Sequence, residues 1–289
     1  MSVALDTRAT SVRTFLRSVA SFSWLEFKTL RYYPSNLLLS LVEGTVDTGI
    51  WLFIGLFLKG VADQAVAAFG GSYVAYVVIG VSFFGAAQTA LTSPFESVSQ
   101  AYWDKRLEAY HMASDGIWAY ILGRMGWQLL YATVIQVAVV SLIVGTVGID
   151  FAPGANLLLT LLLFVLLVLC CFGLGLVGAS SFFLLEVKDS SEPVSWGVTV
   201  LARIASGVYY PLSIIPFWLR PLGRLVPHTY ALRSIRLVLI QGHGFSDDQV
   251  VRDVLVLVCY AVAAIALGIW MLRRGIRKAE RVGGMSVVG

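Results

Sequence analysis

The stretch LLLTLLLFVLLVLCCFGLGLVGASSFFLL, residues 157–185, carries no charged side chain and exceeds the roughly 20 apolar residues that a helix needs to cross a bilayer. Its apolar residues run on without polar alternation, which indicates a helix and not a strand of a membrane barrel. In the whole chain 58% of residues are hydrophobic and only 13% charged, against about 25% charged in soluble domains. The sequence therefore predicts an all-α integral membrane protein.

Further apolar runs predict a bundle of six transmembrane helices over residues 37–272. The predicted spans are Leu37–Leu58, Tyr73–Leu91, Ile117–Val147, Leu157–Leu185, Val194–Ile215 and Val251–Leu272. We interpret residues 1–289 as a single transmembrane domain, in which 1–35 form a cytoplasmic tail and an interfacial helix and 273–289 a basic cytoplasmic tail.

Basic residues flank the bundle at both ends of the sequence and predict its orientation. They are Arg8, Arg13, Arg17, Lys28 and Arg31 before the first span, and Arg273, Arg274, Arg277, Lys278 and Arg281 after the last. Because the number of spans is even, we expect both termini in the cytoplasm. We expect the protein in the inner (cytoplasmic) membrane of the cell. The outer stretch before the last span violates the rule, because it contains Arg220, Arg224, Arg233 and Arg236.

Motifs for catalysis and nucleotide binding are missing from the sequence. There is no GxxxxGK[ST] phosphate loop, HExxH or GxSxG. The GxGxxG at Gly173, Gly175 and Gly178 lies inside an apolar span, so we interpret it as small-residue helix packing. The cysteines also lie in apolar spans, which argues against disulfides or a metal site. We expect no catalytic residue, metal or cofactor in this chain.

Four ionisable residues lie inside predicted spans, at similar distances from the cytoplasmic edge. Glu43 and Asp47 share one face of the first span, Arg124 lies in the third and Arg203 in the fifth. Unpaired charge in lipid is unfavourable, so we hypothesise one polar cluster inside the bundle. Such a cluster either locks the helices together or lines a substrate or ion path.

The longest predicted cytosolic connection contains an amphipathic segment, Ala101–Met112. Apolar Trp103, Leu107 and Tyr110 recur at helical spacing, and polar Asp104, Glu108 and His111 follow them one position later. The pattern predicts a short helix, which is either a solvated loop helix or a docking handle for a cytosolic partner.

The segment SGVYYPLSIIPFWLRPLGRLVPHTYALRSIRLVLIQG, residues 206–242, resembles permeases of the type 2 ATP-binding-cassette (ABC) exporter superfamily. The matching positions are Pro211, Pro216, Pro227, Thr229, Tyr230 and Arg233. The layout of the chain is also similar, with an interfacial N-terminal helix, six spans and a charged helix after the second span. The resemblance implies outer re-entrant or interfacial helices before the last span.

The resemblance also implies roles for particular residues. Phe15–Arg31 corresponds to the elbow helix, and Ala101–Met112 to the coupling helix that docks on an ATPase. The implied ATPase-coupling residues are Trp103, Asp104, Lys105, Arg106, Leu107, Glu108 and His111. The implied outer gate consists of Tyr209, Tyr210, Pro211, Pro216, Pro227, Tyr230 and Arg233. One departure is that Ala113–Gly116 replaces the proline turn usual after the coupling helix.

By this resemblance the chain is a permease, half of a membrane pathway that exports a lipophilic or amphipathic substrate such as a drug, a lipid or a glycolipid-like molecule. Two copies of a separate cytosolic ATPase subunit would bind ATP and Mg²⁺ and drive it. The second half would be another copy or a homologous permease, giving a homo- or heterodimer. The candidates for the substrate path, or alternatively for lipid-facing packing or an interfacial belt, are Trp51, Phe83, Phe84, Tyr209 and Tyr210. We expect membrane lipids and no nucleic acid as further partners.

Two alternatives belong to other functional classes. An ion-coupled secondary transporter would use Glu43 and Asp47 and need no ATPase, although the inverted repeats typical of that class are not visible. A non-transporting membrane scaffold would need no polar path at all.

Overall fold

The computed structural model of the chain describes residues 12–32, 34–58, 60–70, 72–112, 116–148, 152, 154–186 and 192–282. Arg8, residues 113–115 and residues 283–289 lie outside this part of the chain. The helices are α1 (Val12–Tyr32), α2 (Pro34–Phe57), α3 (Val61–Ala65), α4 (Tyr73–Trp103), α5 (Leu107–Met112), α6 (Gly116–Val147), α7 (Leu157–Leu184), α8 (Pro193–Ala205), α9 (Arg220–Gly223), α10 (Pro227–Gln241) and α11 (Asp248–Val282). No β-strand occurs among the described residues.

Among the described residues, five helices are long and apolar enough to cross a membrane, which confirms an all-α, multi-pass membrane protein. The candidate spans are Leu38–Phe57, Tyr73–Trp103, Gly116–Thr146, Leu157–Leu184 and Asp248–Arg281. Two are longer than the apolar runs alone predicted. The second span continues past Leu91 to Trp103, and the last continues past Leu272 into its basic end.

The predicted fifth span, Val194–Ile215, is wrong as a single helix. α8 contains only 13 residues and ends at Ala205. Gly207 then has φ +82°, a left-handed conformation that interrupts a right-handed helix. Pro211 and Pro216 lack the N–H groups that would continue it. The chain reaches α11 through turns and the short helices α9 and α10, which occupy the place where the resemblance implies outer helices.

Helices α4, α7 and α11 run parallel, and α7 packs between the other two. Ring contacts set the register of α4 on α7, because Phe83 meets Phe164 at 5.6 Å and Phe95 meets Phe182 at 6.1 Å between centroids. One end of the bundle therefore carries the starts of these helices and α10, and is called the α10 end. The opposite end carries the end of α4, α5 and the start of α6, and is called the α5 end.

The glycines of α7 allow its neighbours to approach closely, which confirms the packing interpretation of the GxGxxG pattern. A Cβ on Gly173 would lie 2.6 Å from the Ile265 nitrogen of α11. A Cβ on Gly175 would lie 2.3 Å from the Leu91 carbonyl oxygen of α4. Such distances are far inside van der Waals contact, so close backbone packing requires glycine at both positions.

Gly268 completes the seam between α7 and α11 and provides a test of it. A Cβ there would lie 2.6 Å from both the Gly173 carbonyl oxygen and the Leu176 Cβ. Because rigid atoms surround the site, Gly268→Ala should destabilise the fold by about 1–3 kcal/mol. The measurement is the apparent melting temperature of the detergent-solubilised protein, followed by size-exclusion chromatography after heating.

The matched control is Gly145→Ala in α6, where no atom lies within 4 Å of the added Cβ. This change should be neutral or stabilise by up to about 1 kcal/mol, because alanine is the better helix former. Equal melting temperatures for Gly268→Ala and Gly145→Ala would contradict the tight seam.

Candidate functional site

A groove lined by polar side chains lies between α4 and α8. Gln88, at the midpoint of α4, is followed by Thr92 and Glu96 one and two helical turns later. Ser195 and Thr199, one turn apart on α8, lie opposite. The groove has a volume of about 270 Å³ and is lined by Gln88, Thr92, Phe95, Glu96, Glu192, Ser195, Trp196 and Thr199. The predictions missed this site, although the spacing of its polar residues within apolar helices was a readable signal.

Hydrogen bonds across the groove hold α8 against α4. Gln88 Nε2 donates to Thr199 Oγ1 at 2.8 Å, and the Ser195 hydroxyl donates to the Leu91 carbonyl oxygen at 3.2 Å. The Thr199 hydroxyl is also 2.6 Å from the Ser195 carbonyl oxygen, one turn back on its own helix. These groups satisfy one another within the chain, so the groove is a preformed polar surface between two apolar helices.

Glu192 places a carboxylate inside the bundle at the start of α8. Only 4% of the residue is exposed. Its two oxygens accept hydrogen bonds from the Val194 and Ser195 N–H groups, both at 2.6 Å. The N-terminus of a helix favours negative charge, so α8 compensates part of the cost of burial. A Cβ on Gly178 would lie 2.8 Å from this carboxylate, so the third glycine of α7 makes room for it.

At the α10 end, one buried arginine joins α4, α10 and the segment that follows α8. Arg236 is 2% exposed, and its guanidinium lies 3.4 Å from the centre of the Tyr76 ring. It donates to the Tyr76 carbonyl oxygen at 3.0 and 3.1 Å, to Gly207 at 2.8 Å and to Val208 at 2.9 Å. A Cβ on Gly80 would lie 2.1 Å from the Val208 carbonyl oxygen and 2.4 Å from Arg236 Nη2, so glycine is required there.

Two further arginines of this region also have partners within the chain. Arg233 forms a bidentate ion pair with Asp253 of α11, in which Nε lies 2.9 Å from Oδ2 and Nη2 contacts Oδ1. Arg220 donates to the Ile215 and Ser213 carbonyl oxygens at 2.9 and 2.8 Å. These structural partners explain why arginines occur where the orientation rule predicts few of them.

The residues predicted as an outer gate are mostly held in fixed contacts at the α10 end. The Tyr209 ring stacks on Trp51 of α2, with 3.8 Å between centroids. The Tyr210 hydroxyl donates to the Ile204 carbonyl oxygen at 2.8 Å, and the Tyr230 hydroxyl to that of Arg224 at 2.9 Å.

The three prolines of the predicted gate differ in their exposure to solvent. Pro211 is buried, Pro216 is exposed, and Pro227 is the first residue of α10. Of the other predicted aromatics, Phe84 is buried and Phe83 packs on Phe164.

The structure does not assemble the predicted polar cluster as one group. Arg124 pairs with Glu26 of α1, at 3.9 Å, and its Nη1 donates to the Tyr120 hydroxyl at 3.1 Å. The sequence interpretation placed the N-terminal helix in the cytoplasmic interface and did not consider Glu26 as a counter-charge for Arg124.

The other members of the predicted cluster lie elsewhere. Glu43 and Asp47 are exposed on α2. Arg203 lies over the Phe84 ring at 5.6 Å.

The predicted coupling helix Ala101–Met112 is wrong as one continuous helix, because it divides into the end of α4, a turn and α5. Lys105 has φ +58°. The Lys105 N–H bonds to the Tyr102 carbonyl oxygen at 2.9 Å, and the Arg106 N–H to that of Ala101 at 2.8 Å. This is the Schellman pattern that terminates helices, with lysine where glycine is usual.

The surface of this turn is charged and its base is apolar. Leu107 is 1% exposed, whereas Trp103, Asp104, Lys105, Arg106 and Glu108 are exposed. His111 belongs to α5, but its side chain lies outside the described residues. The name coupling turn is used below for residues 103–108.

An aromatic cluster fixes α5 to α1 and α6. Tyr110 of α5 stacks on Tyr120 of α6 at 4.5 Å, and Phe22 of α1 meets these rings edge-on at 5.5 and 5.4 Å. A hydrogen bond to Tyr110 raises the pKa of Arg106, which joins the coupling turn to the cluster.

Small residues bring α1 close to α6 beside this cluster. The Ser23 hydroxyl donates to the Gly123 carbonyl oxygen at 2.7 Å. A Cβ on Gly123 would lie 2.6 Å from the Val19 carbonyl oxygen. α1, α5 and α6 therefore form one packed unit beneath the coupling turn.

Comparison with known proteins identifies similar sequences over more than half of the chain. Residues 50–240 match the family described as ABC-2 type transporter. The ABC transporter G family member 20 of Dictyostelium discoideum is 26% identical over 168 residues, which are 58% of this chain and 22% of the relative. The chain thus spans less than a quarter of that relative's length. The family match includes both helices of the polar groove and the coupling turn.

Arg236→Lys tests the arginine lock at the α10 end. One ammonium group cannot reproduce the planar fork that reaches three carbonyl oxygens, so buried acceptors lose their donors. We expect destabilisation by about 1–3 kcal/mol, read as a lower apparent melting temperature in detergent. The control is Arg224→Lys, an exposed position in the same region, which should change stability by less than about 0.5 kcal/mol. Similar losses in both variants would contradict the lock.

Lys105→Gly tests the left-handed position in the coupling turn. Glycine adopts φ +58° without the strain that a Cβ causes, so the variant should be more stable by about 1 kcal/mol. Lys105→Ala keeps the Cβ while removing the charge, and it should give no such gain. An equal rise in melting temperature for both variants would assign the effect to charge instead of backbone strain.

Proposed function

The chain belongs to the ABC-2 type transporter family, and from this premise we propose that it is a permease that exports a lipophilic or amphipathic substrate, driven by a separate ATPase. The carrying observation is the coupling turn, an exposed charged surface on a rigid apolar base at the end of α4. Since the sequence contains no GxxxxGK[ST] motif, the partner subunit would bind ATP and Mg²⁺.

The geometry around the coupling turn supports docking of a partner. Asp104, Arg106 and Glu108 are exposed and carry both signs of charge, which suits electrostatic steering of a complementary surface. The aromatic cluster beneath the turn ties α5 to α1 and α6. A displacement imposed by a bound ATPase would therefore move a packed unit instead of one loose loop.

The polar groove supports a role in the substrate pathway. Gln88 and Thr199 pair within the chain, and Thr92 and Glu96 continue the polar lining toward the α5 end. Polar and ionisable groups inside membrane-spanning helices generally line a pathway or face a partner. A second permease, identical or homologous, placed over α4 and α8 would enclose the groove. The surrounding helices are apolar, which favours a lipophilic or amphipathic substrate over a small ion.

Charge reversal in the coupling turn tests the ATPase partnership. Affinity capture of the tagged chain from its native membrane should recover an ATPase subunit that contains GxxxxGK[ST]. The double variant Asp104→Lys, Glu108→Lys should recover about tenfold less ATPase, because it replaces attractive contacts by repulsion. The amount of permease in the membrane and its size-exclusion profile should stay unchanged.

The control is Arg252→Glu, an exposed charge reversal at the α10 end of the bundle. It should leave ATPase recovery as in the wild type. Equal recovery from the wild type and the double variant would overturn the assignment of the coupling turn. ATP-independent, ion-driven flux through the purified chain, lost in Glu43→Gln with Asp47→Asn, would favour a secondary transporter.

A further inference from the structure

A basic cavity lies at the α5 end of the bundle, between the ends of α7 and α11. It has a volume of about 480 Å³ and is lined by Leu184, Arg274, Arg277, Lys278 and Arg281. Helical spacing explains the convergence, since residues three, four and seven positions apart share one face of α11. Four cations therefore surround one open space.

Only part of this positive charge is compensated in the described residues. Lys278 Nζ donates to the Leu184 carbonyl oxygen at 3.1 Å and lies 3.5 Å from a Glu186 carboxylate oxygen. It thereby caps the C-terminus of α7, where a cation is favourable. Glu280 follows Arg277 by three positions and Arg273 by seven, so it lies on the same side of α11 as both arginines. The four cations that line the cavity outnumber the two carboxylates, Glu186 and Glu280. The remaining arginines leave the cavity with a net positive charge.

The sequence around the cavity marks the edge of the membrane. Trp270 lies one turn before Arg274 and is 52% exposed, and tryptophan concentrates where the hydrocarbon meets the head groups. The Arg274 guanidinium lies 4.2 Å from the centre of the Trp270 ring. The apolar part of α11 ends in this turn and the basic part begins. The cavity is therefore at the level of lipid phosphates.

We propose that this cavity binds the phosphate of an anionic membrane lipid. Arginine forks hydrogen-bond phosphate oxygens in pairs, and an anion relieves the repulsion between the cations. Basic pockets between transmembrane helices recognise anionic head groups in this way. Lys278 already bonds Leu184 and Glu186, so Arg277 and Arg281 supply most of the recognition, with Arg274 held over Trp270. The bound lipid would join the ends of α7 and α11.

The test uses the full-length chain in nanodiscs of phosphatidylcholine, with or without phosphatidylglycerol. Native mass spectrometry counts retained lipids, and the apparent melting temperature reports their effect. Wild type should retain phosphatidylglycerol preferentially and melt higher in its presence. Arg277→Gln with Arg281→Gln should weaken retention about 25-fold, or about fivefold for each arginine. Arg273→Gln, an exposed arginine outside the cavity, is the control and should retain the lipid.

Other results would overturn the proposal. Equal loss in Arg273→Gln and the double variant would indicate general surface charge. Equal stabilisation of detergent-solubilised wild type by inorganic phosphate would indicate a site for soluble phosphate instead of lipid. If the double variant fails to fold, the proposal is tested by measuring the lipid preference of the wild type at increasing salt concentration. Loss of the phosphatidylglycerol preference with rising salt supports the site, and a preference insensitive to salt overturns it.

Discussion

Backbone carbonyl groups that leave a helix inside an apolar bundle need a donor, and this constraint governs the α10 end of the molecule. Where α8 ends, Gly207 and Val208 present carbonyl oxygens that no helical N–H reaches. Arg236 supplies N–H groups to both and to Tyr76 at the start of α4. The Tyr76 hydroxyl also donates to the Gly207 oxygen at 2.9 Å. A buried acceptor left without any donor would cost about 1–3 kcal/mol. A charged residue thus permits the turn that shortens α8 and creates room for α9 and α10.

The same constraint acts through the residues around α8 and α7. Glu192 accepts the first N–H groups of α8, so the helix can begin inside the bundle instead of at its edge. Gly178 leaves space for that carboxylate, while Gly173 and Gly175 bring α11 and α4 close. Glycines that look like a nucleotide signature in the sequence therefore serve three different helix contacts. The fold depends on polar groups satisfied inside the chain and on small residues beside them.

The long spans were predictable because a continuous apolar run has few other stable structures in lipid. The division of the fifth span was less accessible, because its proline-containing continuation is also apolar. The counter-charge of Arg124 was not predicted, because Glu26 lies on the amphipathic helix α1 and not within an apolar span. The α4 side of the polar groove could have been predicted from the sequence, because Gln88, Thr92 and Glu96 recur with helical spacing. Its pairing with Ser195 and Thr199 depends on the register of α8, which only the folded chain defines.

Helix α4 connects all the sites that the proposed transporter would use. It begins at the Arg236 lock, carries Gln88, Thr92 and Glu96 at and beyond its midpoint, and ends at the coupling turn. One helix of 31 residues joins these sites, with Pro94 removing one of its backbone hydrogen bonds between Thr92 and Glu96. Movement of the coupling turn by an ATPase would therefore shift the groove residues of α4 relative to α8. Such a shift must break the hydrogen bonds between Gln88 and Thr199 and between Ser195 and Leu91. In the second state, the freed groups would bond to the substrate or to a second subunit. The free-energy difference between the two states of the groove would then depend on this exchange of hydrogen bonds.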